Sequence, residues 1–219
     1  MQHWRFNMKF NSILWVAAVG VLGAGCSNLE HSRDLGNPKV SATTIAQQVC
    51  SLCHGIDGNS VSPNFPRLSG QTPEYLVGQL ERFRGHQRLD PPGFEYMWGL
   101  SRDLTDEQIK GLADYFARQA PTQNAAIDAQ QLAAGKVIFE NGVPSKEAPP
   151  CLACHGPKAQ GLAAFPRLAG QHQDYLVKQL HVFRETEGRP DTPMKQITHL
   201  LSQQEMEAVA GYLQAFPIE

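Results

Sequence analysis

The chain repeats itself. Cys50-Ser51-Leu52-Cys53-His54-Gly55 returns as Cys151-Leu152-Ala153-Cys154-His155-Gly156, and Pro66-Arg67-Leu68-Ser69-Gly70-Gln71 returns as Pro166-Arg167-Leu168-Ala169-Gly170-Gln171. A third block, Tyr75-Leu76-Val77 with Gln79, Leu80, Phe83 and Arg84, returns as Tyr175-Leu176-Val177 with Gln179, Leu180, Phe183 and Arg184. The blocks keep their order, and the offset between copies falls from 101 to 100 and, near the C-terminus of each copy, to 97 residues. Short gaps in loops produce such a drift; chance does not produce three aligned blocks. Beyond its first 40 residues the 219-residue chain therefore divides into two copies of one small unit, residues 41–120 and 127–219, joined by a linker over 121–126.

The elements legible within each copy are helical. Thr105-Asp106-Glu107-Gln108 and Ser202-Gln203-Gln204-Glu205 are capping boxes, a hydroxyl followed three residues later by Gln or Glu. Behind them, Ile109, Leu112, Ala113 and Phe116, then Met206, Val209, Ala210 and Leu213, keep the i, i+3, i+4, i+7 stripe of a one-sided helix. Thr72-Pro73-Glu74 opens another helix, with proline at its first position. Asp128 to Phe139 reads as a helix ending near Asn141-Gly142; its counterpart before Cys50 is shorter and weaker. No apolar/polar alternation and no hairpin turn suggests a strand. Each copy is predicted to be a small all-α domain.

The N-terminus reads as a targeting segment. Arg5 and Lys9 precede an uncharged run from Ile13 to Gly25, short for a membrane span and suited to a secretory signal. The run closes on Leu22-Gly23-Ala24-Gly25-Cys26-Ser27, which resembles a lipoprotein signal with Cys26 as the lipidated residue; Gly23 stands where a large aliphatic is usual. Residues 1–25 are thus expected to be a signal and 26–40 a polar tether. The destination is the periplasm, with a lipid anchor in the membrane. The alternatives are an ordinary cleaved signal or an uncleaved anchor. A formal net charge of −2 argues against nucleic acid as a partner, because phosphate binding needs a clustered positive excess.

The chemistry lies in the two C-x-x-C-H motifs. By itself C-x-x-C could be a redox disulfide, half a zinc site or a structural disulfide. A thioredoxin-like centre would need a βαβ context, and zinc would have to draw on distant motifs. The following histidine marks the attachment signal of c-type haem. Cys50 and Cys53, and again Cys151 and Cys154, would form thioethers, leaving His54 and His155 as iron ligands. Two covalently bound haem c groups are expected, and each would supply apolar surface that a domain this small lacks. Met97 is the one methionine between Cys53 and Cys151, and the offset of 97 places it opposite Met194; these two are the expected sixth ligands. Met206 aligns with Ile109, a core position. His86, His172, His181 and His199 have no matching histidine in the other copy and read as surface or structural residues.

The C-x-x-C-H-G motifs, the P-R-L-x-G-Q and Y-L-V-x-Q-L-x-x-F-R blocks and the later methionine before a capped helix resemble dihaem class I cytochromes c, specifically the cytochrome c4 family, over residues 40–219. The resemblance implies two cytochrome c folds about a pseudo-twofold axis, with haem propionates approaching each other at the interface and His/Met ligation in each domain. It implies that the carbonyls of Pro66 and Pro166, 12 and 11 residues past the histidines, accept from the axial Nδ1, and that Arg67 and Arg167 pair with propionates. Two departures stand out. Only the second copy has a glycine–aromatic pair, Gly135 and Phe139, in its first helix, and it alone carries an insertion from Glu140 to Pro150. The function expected is electron carriage in a respiratory chain, from a membrane donor toward a terminal oxidase, rather than enzyme catalysis. Rival readings are the electron acceptor of an envelope dehydrogenase, a dihaem peroxidase, and a haem sensor.

Overall fold

The computed structural model describes residues 33–122, 129–185, 187–189 and 192–218. The expected signal and Cys26 lie outside the described residues, as do the first part of the tether and residues 123–126 of the linker. Among the described residues no helix is long and apolar enough to cross a membrane.

The first domain begins with α1 (Ala42–Ile45), passes through a widened π-type turn at Ala46–Cys50, and continues into α2 (Ser51–His54). Then come α3 (Pro73–Arg84), a second widened turn at Gly93–Met97, α4 (Trp98–Ser101) and α5 (Asp106–Ala117). The second domain follows with α6 (Ala129–Asn141), a 3-10 turn at Pro144–Lys146, α7 (Leu152–His155), α8 (Gln173–Glu185), α9 (Met194–His199) and α10 (Gln203–Ala215). Among the described residues the only β pairing is two isolated bridges, Val143 with Ala148 and Leu162 with Phe165.

Both C-terminal helices start on complete capping boxes. Thr105 accepts from the Gln108 backbone N–H while Gln108 Oε1 accepts from that of Thr105, and Ser202 and Glu205 do the same. The stripe behind each box builds a separate core. In the first domain Ile109, Leu112, Ala113 and Phe116 pack with Val40, Ile45, Leu76 and Leu104. In the second Val209, Ala210 and Leu213 pack with Ile138, Phe139, Ala169 and Leu176. The chain just before α1 belongs to this packing too: Val40 is buried, and Gln108 Nε2 donates to the carbonyls of Asn37 and Val40, at 3.0 Å each.

The first and last helices of each domain cross closely. A Cβ on Gly135 would lie 2.1 Å from the Ala208 carbonyl oxygen, and one on Gly111 would lie 2.6 Å from the Ala42 Cβ. Gly111 and Ala208 stand at equivalent positions, 97 residues apart. The crossing is thus built in both domains from one glycine and one alanine, with the glycine on opposite helices.

Candidate haem-attachment site

In each motif the two cysteines lie one helical turn apart, and none of the four is in a disulfide. Cys50 and Cys151 pack on their domain cores, and burial pushes each thiol up to about 11, so both are neutral at physiological pH. Gly55 and Gly156 then end the short helices with φ of +80° and +81°, a conformation natural to glycine. The chain turns sharply there and returns past the histidine.

That return positions the imidazoles. Leu68 and Ser69 donate to the Gly58 carbonyl, and Leu168 and Ala169 to that of Ala159, fixing the Pro66 and Pro166 loops beside the motif helices. His54 Nδ1 lies 2.9 Å from the Pro66 oxygen, and His155 Nδ1 lies 2.9 Å from the Pro166 oxygen. A carbonyl only accepts, so Nδ1 carries the proton and Nε2 is left as a free lone pair, the tautomer a metal ligand needs. Burial lowers the pKa of both histidines against the opposing effect of the proline carbonyls, which keeps them neutral. Phe65 and Phe165 meet the two rings edge-on, with centroids 6.2 Å apart in each domain. These phenylalanines were open to sequence reading, since each precedes its P-R-L block.

Met97 and Met194 occupy matching places, each half-buried one helical turn before a buried hydroxyl. Ser101 Oγ donates to the Met97 carbonyl at 2.6 Å and Thr198 Oγ1 to that of Met194 at 2.8 Å. Met206 is wholly buried, packed with Ala148 and Leu201. Among the described residues no three His, Cys, Asp or Glu side chains converge on a metal position, which gives the zinc alternative no ligand set there.

The two proline loops face each other across the domain interface. Gln171 Oε1 accepts from the Arg67 backbone N–H (2.9 Å) and its Nε2 donates to the Arg67 carbonyl (3.0 Å). Gln71 does the same to Arg167, at 2.6 and 3.1 Å. The Arg67 guanidinium donates to the carbonyls of Ser60, Thr122 and Gly170, whereas Arg167 Nε is buried without a partner. His172 is also an interface residue, with Nε2 donating to the Ser60 carbonyl at 2.8 Å. His86 stacks between Phe94 and Trp98.

Farther along the interface, Arg88 is held bidentately by the buried carboxylate of Asp90 and reaches both Gln79 and Gln179. Arg189 reaches the same two glutamines, and each arginine covers its own domain's phenylalanine, Phe83 or Phe183. The sequence blocks contain the glutamines but not the arginines, which fall in the stretch where the offset shifts.

This donor set fits a thioether-linked haem: paired thiols, an adjacent imidazole with its outer nitrogen tied back, and a buried orphan guanidinium nitrogen able to meet an acid group. The cytochrome c family model matches residues 41–119 and 132–216. The chain is similar to cytochrome c-552 of Acidithiobacillus ferridurans, 35% identical over 97% of this chain and 90% of that protein. It also resembles the solved cytochrome c4 of Acidithiobacillus ferrooxidans, 39% identical with a TM-score of 0.71, over 76% of this chain and 97% of the other. The chain belongs to the cytochrome c4 family. A further relative is a thiosulfate dehydrogenase electron acceptor of Stutzerimonas stutzeri, 34% identical over 76% of this chain and 78% of that protein. As a member of this family the cytochrome is an electron-transfer protein, not an enzyme, and its two domains carry two covalently bound haem c groups.

Proposed function

We propose that this cytochrome carries electrons in the respiratory chain of the cell envelope, from a membrane donor toward a terminal oxidase. In this reading Cys50, Cys53, Cys151 and Cys154 hold the haems, His54 and Met97 ligate one iron, and His155 and Met194 the other. Residues 41–120 and 127–219 form the two domains, 121–126 the linker. Residues 1–25 are the signal, Cys26 carries the lipid, and 26–40 tether the periplasmic domains to the membrane. When bound, haem c supplies a one-electron ferric/ferrous couple.

The observation that carries this reading is the equivalence of the two sites. The same 2.9 Å His–Pro bond recurs in both domains, and so does a methionine one turn before a buried hydroxyl. Tying Nδ1 to a backbone carbonyl fixes the imidazole plane and strengthens its donation. A methionine thioether as the second protein ligand would raise the potential relative to bis-histidine ligation. With His54 and Met97 holding one iron and His155 and Met194 the other, neither site would offer a place for substrate, which would separate a carrier from a peroxidase or sensor. Arg167, through its unpartnered Nε, is the arginine of the pair better disposed toward a propionate.

The test is exposure of the reduced holoprotein to carbon monoxide, read by absorbance. Unchanged spectra support two six-coordinate sites; a shift in one haem would identify an accessible iron and overturn the carrier reading. Met97→Ala and Met194→Ala are each expected to open one haem to carbon monoxide and lower its potential. A second reading, electron acceptor to an envelope dehydrogenase, is favoured by the acceptor relative of Stutzerimonas stutzeri. Reduction of the holoprotein by thiosulfate dehydrogenase and thiosulfate, faster than by a quinol-oxidising membrane donor, would favour it.

A further inference from the structure

The interface hydrogen bonds cross between the two sites in a particular way. Pro66 orients His54, and the residue immediately after it, Arg67, has both its backbone N–H and its carbonyl held by Gln171 of the other domain. Pro166 orients His155, and Arg167 is held in the same manner by Gln71. Both glutamines are buried, and each amide makes a two-point contact that fixes a peptide segment in position and in orientation. A rotation or shift of Arg67 moves the peptide linking it to Pro66, which carries the oxygen that His54 Nδ1 binds. Within its own domain each loop is tied by backbone bonds two and three residues after the proline, and in the first domain Ser60 Oγ also donates to the Phe65 carbonyl at 2.6 Å. The Arg67 and Arg167 peptide groups themselves are bonded from the other domain.

We propose that Gln71 and Gln171 are positioning residues for the axial histidine of the opposite domain. Gln171 sets the His54 imidazole and Gln71 sets that of His155, so each site is completed by the other half of the molecule. The arrangement acts through the hydrogen bond that tunes ligand strength, and through a contiguous bonded chain rather than through distance. It rests on His54 and His155 being the iron ligands.

The experiment is proton NMR of the oxidised holoprotein, following the Nδ1–H resonances of His54 and His155, assigned through their neighbours along the chain. In the wild type both must be strongly shifted by the paramagnetic iron; if either is not, the ligand assignment itself fails, whatever the variants do. Gln171→Ala is expected to move the His54 resonance and speed its exchange with water several-fold, leaving His155 unchanged. Gln71→Ala is expected to do the converse. Gln171→Glu, which keeps the acceptor for the Arg67 N–H and loses the donor to its carbonyl, is expected to give a smaller change of the same kind and serves if the alanine variant does not fold. Arg189→Ala loosens the interface elsewhere, at Gln79 and Gln179, and is expected to leave both resonances in place. Changes confined to the histidine of the mutated glutamine's own domain, equal changes in both, or the Gln171→Ala pattern reproduced by Arg189→Ala would each overturn the proposal.

Discussion

The two domains share a site and differ in the scaffold behind it. Around the histidines the copies superimpose in chemistry: equal His–Pro distances, equal Phe–His spacing and reciprocal glutamine bonds. Behind the motifs they diverge. In the first domain the helix before the motif runs on through a widened turn at Ala46–Cys50. In the second, α6 stops at Asn141. The chain then makes a small loop closed by reciprocal bonds between Val143 and Ala148 before entering the motif at Cys151. That loop is not idle, since Val143 and Ala148 pack with Leu201 and Met206. The difference teaches that the site tolerates two ways of delivering its motif, provided that the proline loop on the far side is held the same.

Replacing Phe139 should break the comparison most strongly. It is fully buried and meets Tyr212 and Phe216, so Phe139→Ala is expected to destabilise the second domain by about 3–5 kcal/mol. In guanidinium unfolding followed by haem absorbance, the loss should appear as an early transition of one haem. Next come the glycines of the helix crossings. Gly135→Ala drives a methyl against a backbone carbonyl, whereas Gly111→Ala meets only the Ala42 methyl at the start of a short helix. The expected costs are about 3 and about 1 kcal/mol, measured by the same unfolding curves; equal costs would mean that the two crossings are equally rigid.

The capping boxes sharpen the comparison instead. Thr105→Ala and Ser202→Ala should each cost about 1 kcal/mol, and by similar amounts, because both boxes are complete. They part company only with pH. Burial alone would raise the Glu205 pKa, but Lys146 and the Ser202 N–H and hydroxyl outweigh it and hold the carboxyl below its ordinary 4.5. A carboxylate depressed on folding stabilises the fold above its unfolded pKa, and that contribution is lost as pH falls through the lower folded value. Gln108, the equivalent residue, does not titrate. Thermal unfolding between about pH 6 and pH 3 should therefore show α10 losing under about 1 kcal/mol of support that α5 keeps, and Glu205→Gln should remove the difference.

What sequence made legible was local. The duplication, the attachment motifs, the boxes and the apolar stripes each need only a few neighbouring residues, and the helices stand where those signals put them, α6 at Ala129–Asn141 against an expected Asp128 to Phe139. The glycine–alanine crossing is not legible from a glycine in one helix alone, because the physical requirement is for two small residues on facing helices. Arg88 and Arg189 are not legible because their meaning comes from the domain interface: each is an ordinary arginine until the other domain brings Gln179 or Gln79 to it. The structural role of His172 arises in the same way, from a Ser60 carbonyl 112 residues away. An interface pairs positions that no local pattern connects.

The reciprocal glutamine bonds have a consequence for how the molecule is made. The first domain leaves the ribosome ahead of the second, yet the Arg67 peptide groups are not satisfied by protein until Gln171, 104 residues later in the chain, reaches them. Until then they are hydrated and the His54 loop is held from one side only. The earlier-born half thus gains its last loop bonds only when its younger copy has folded against it.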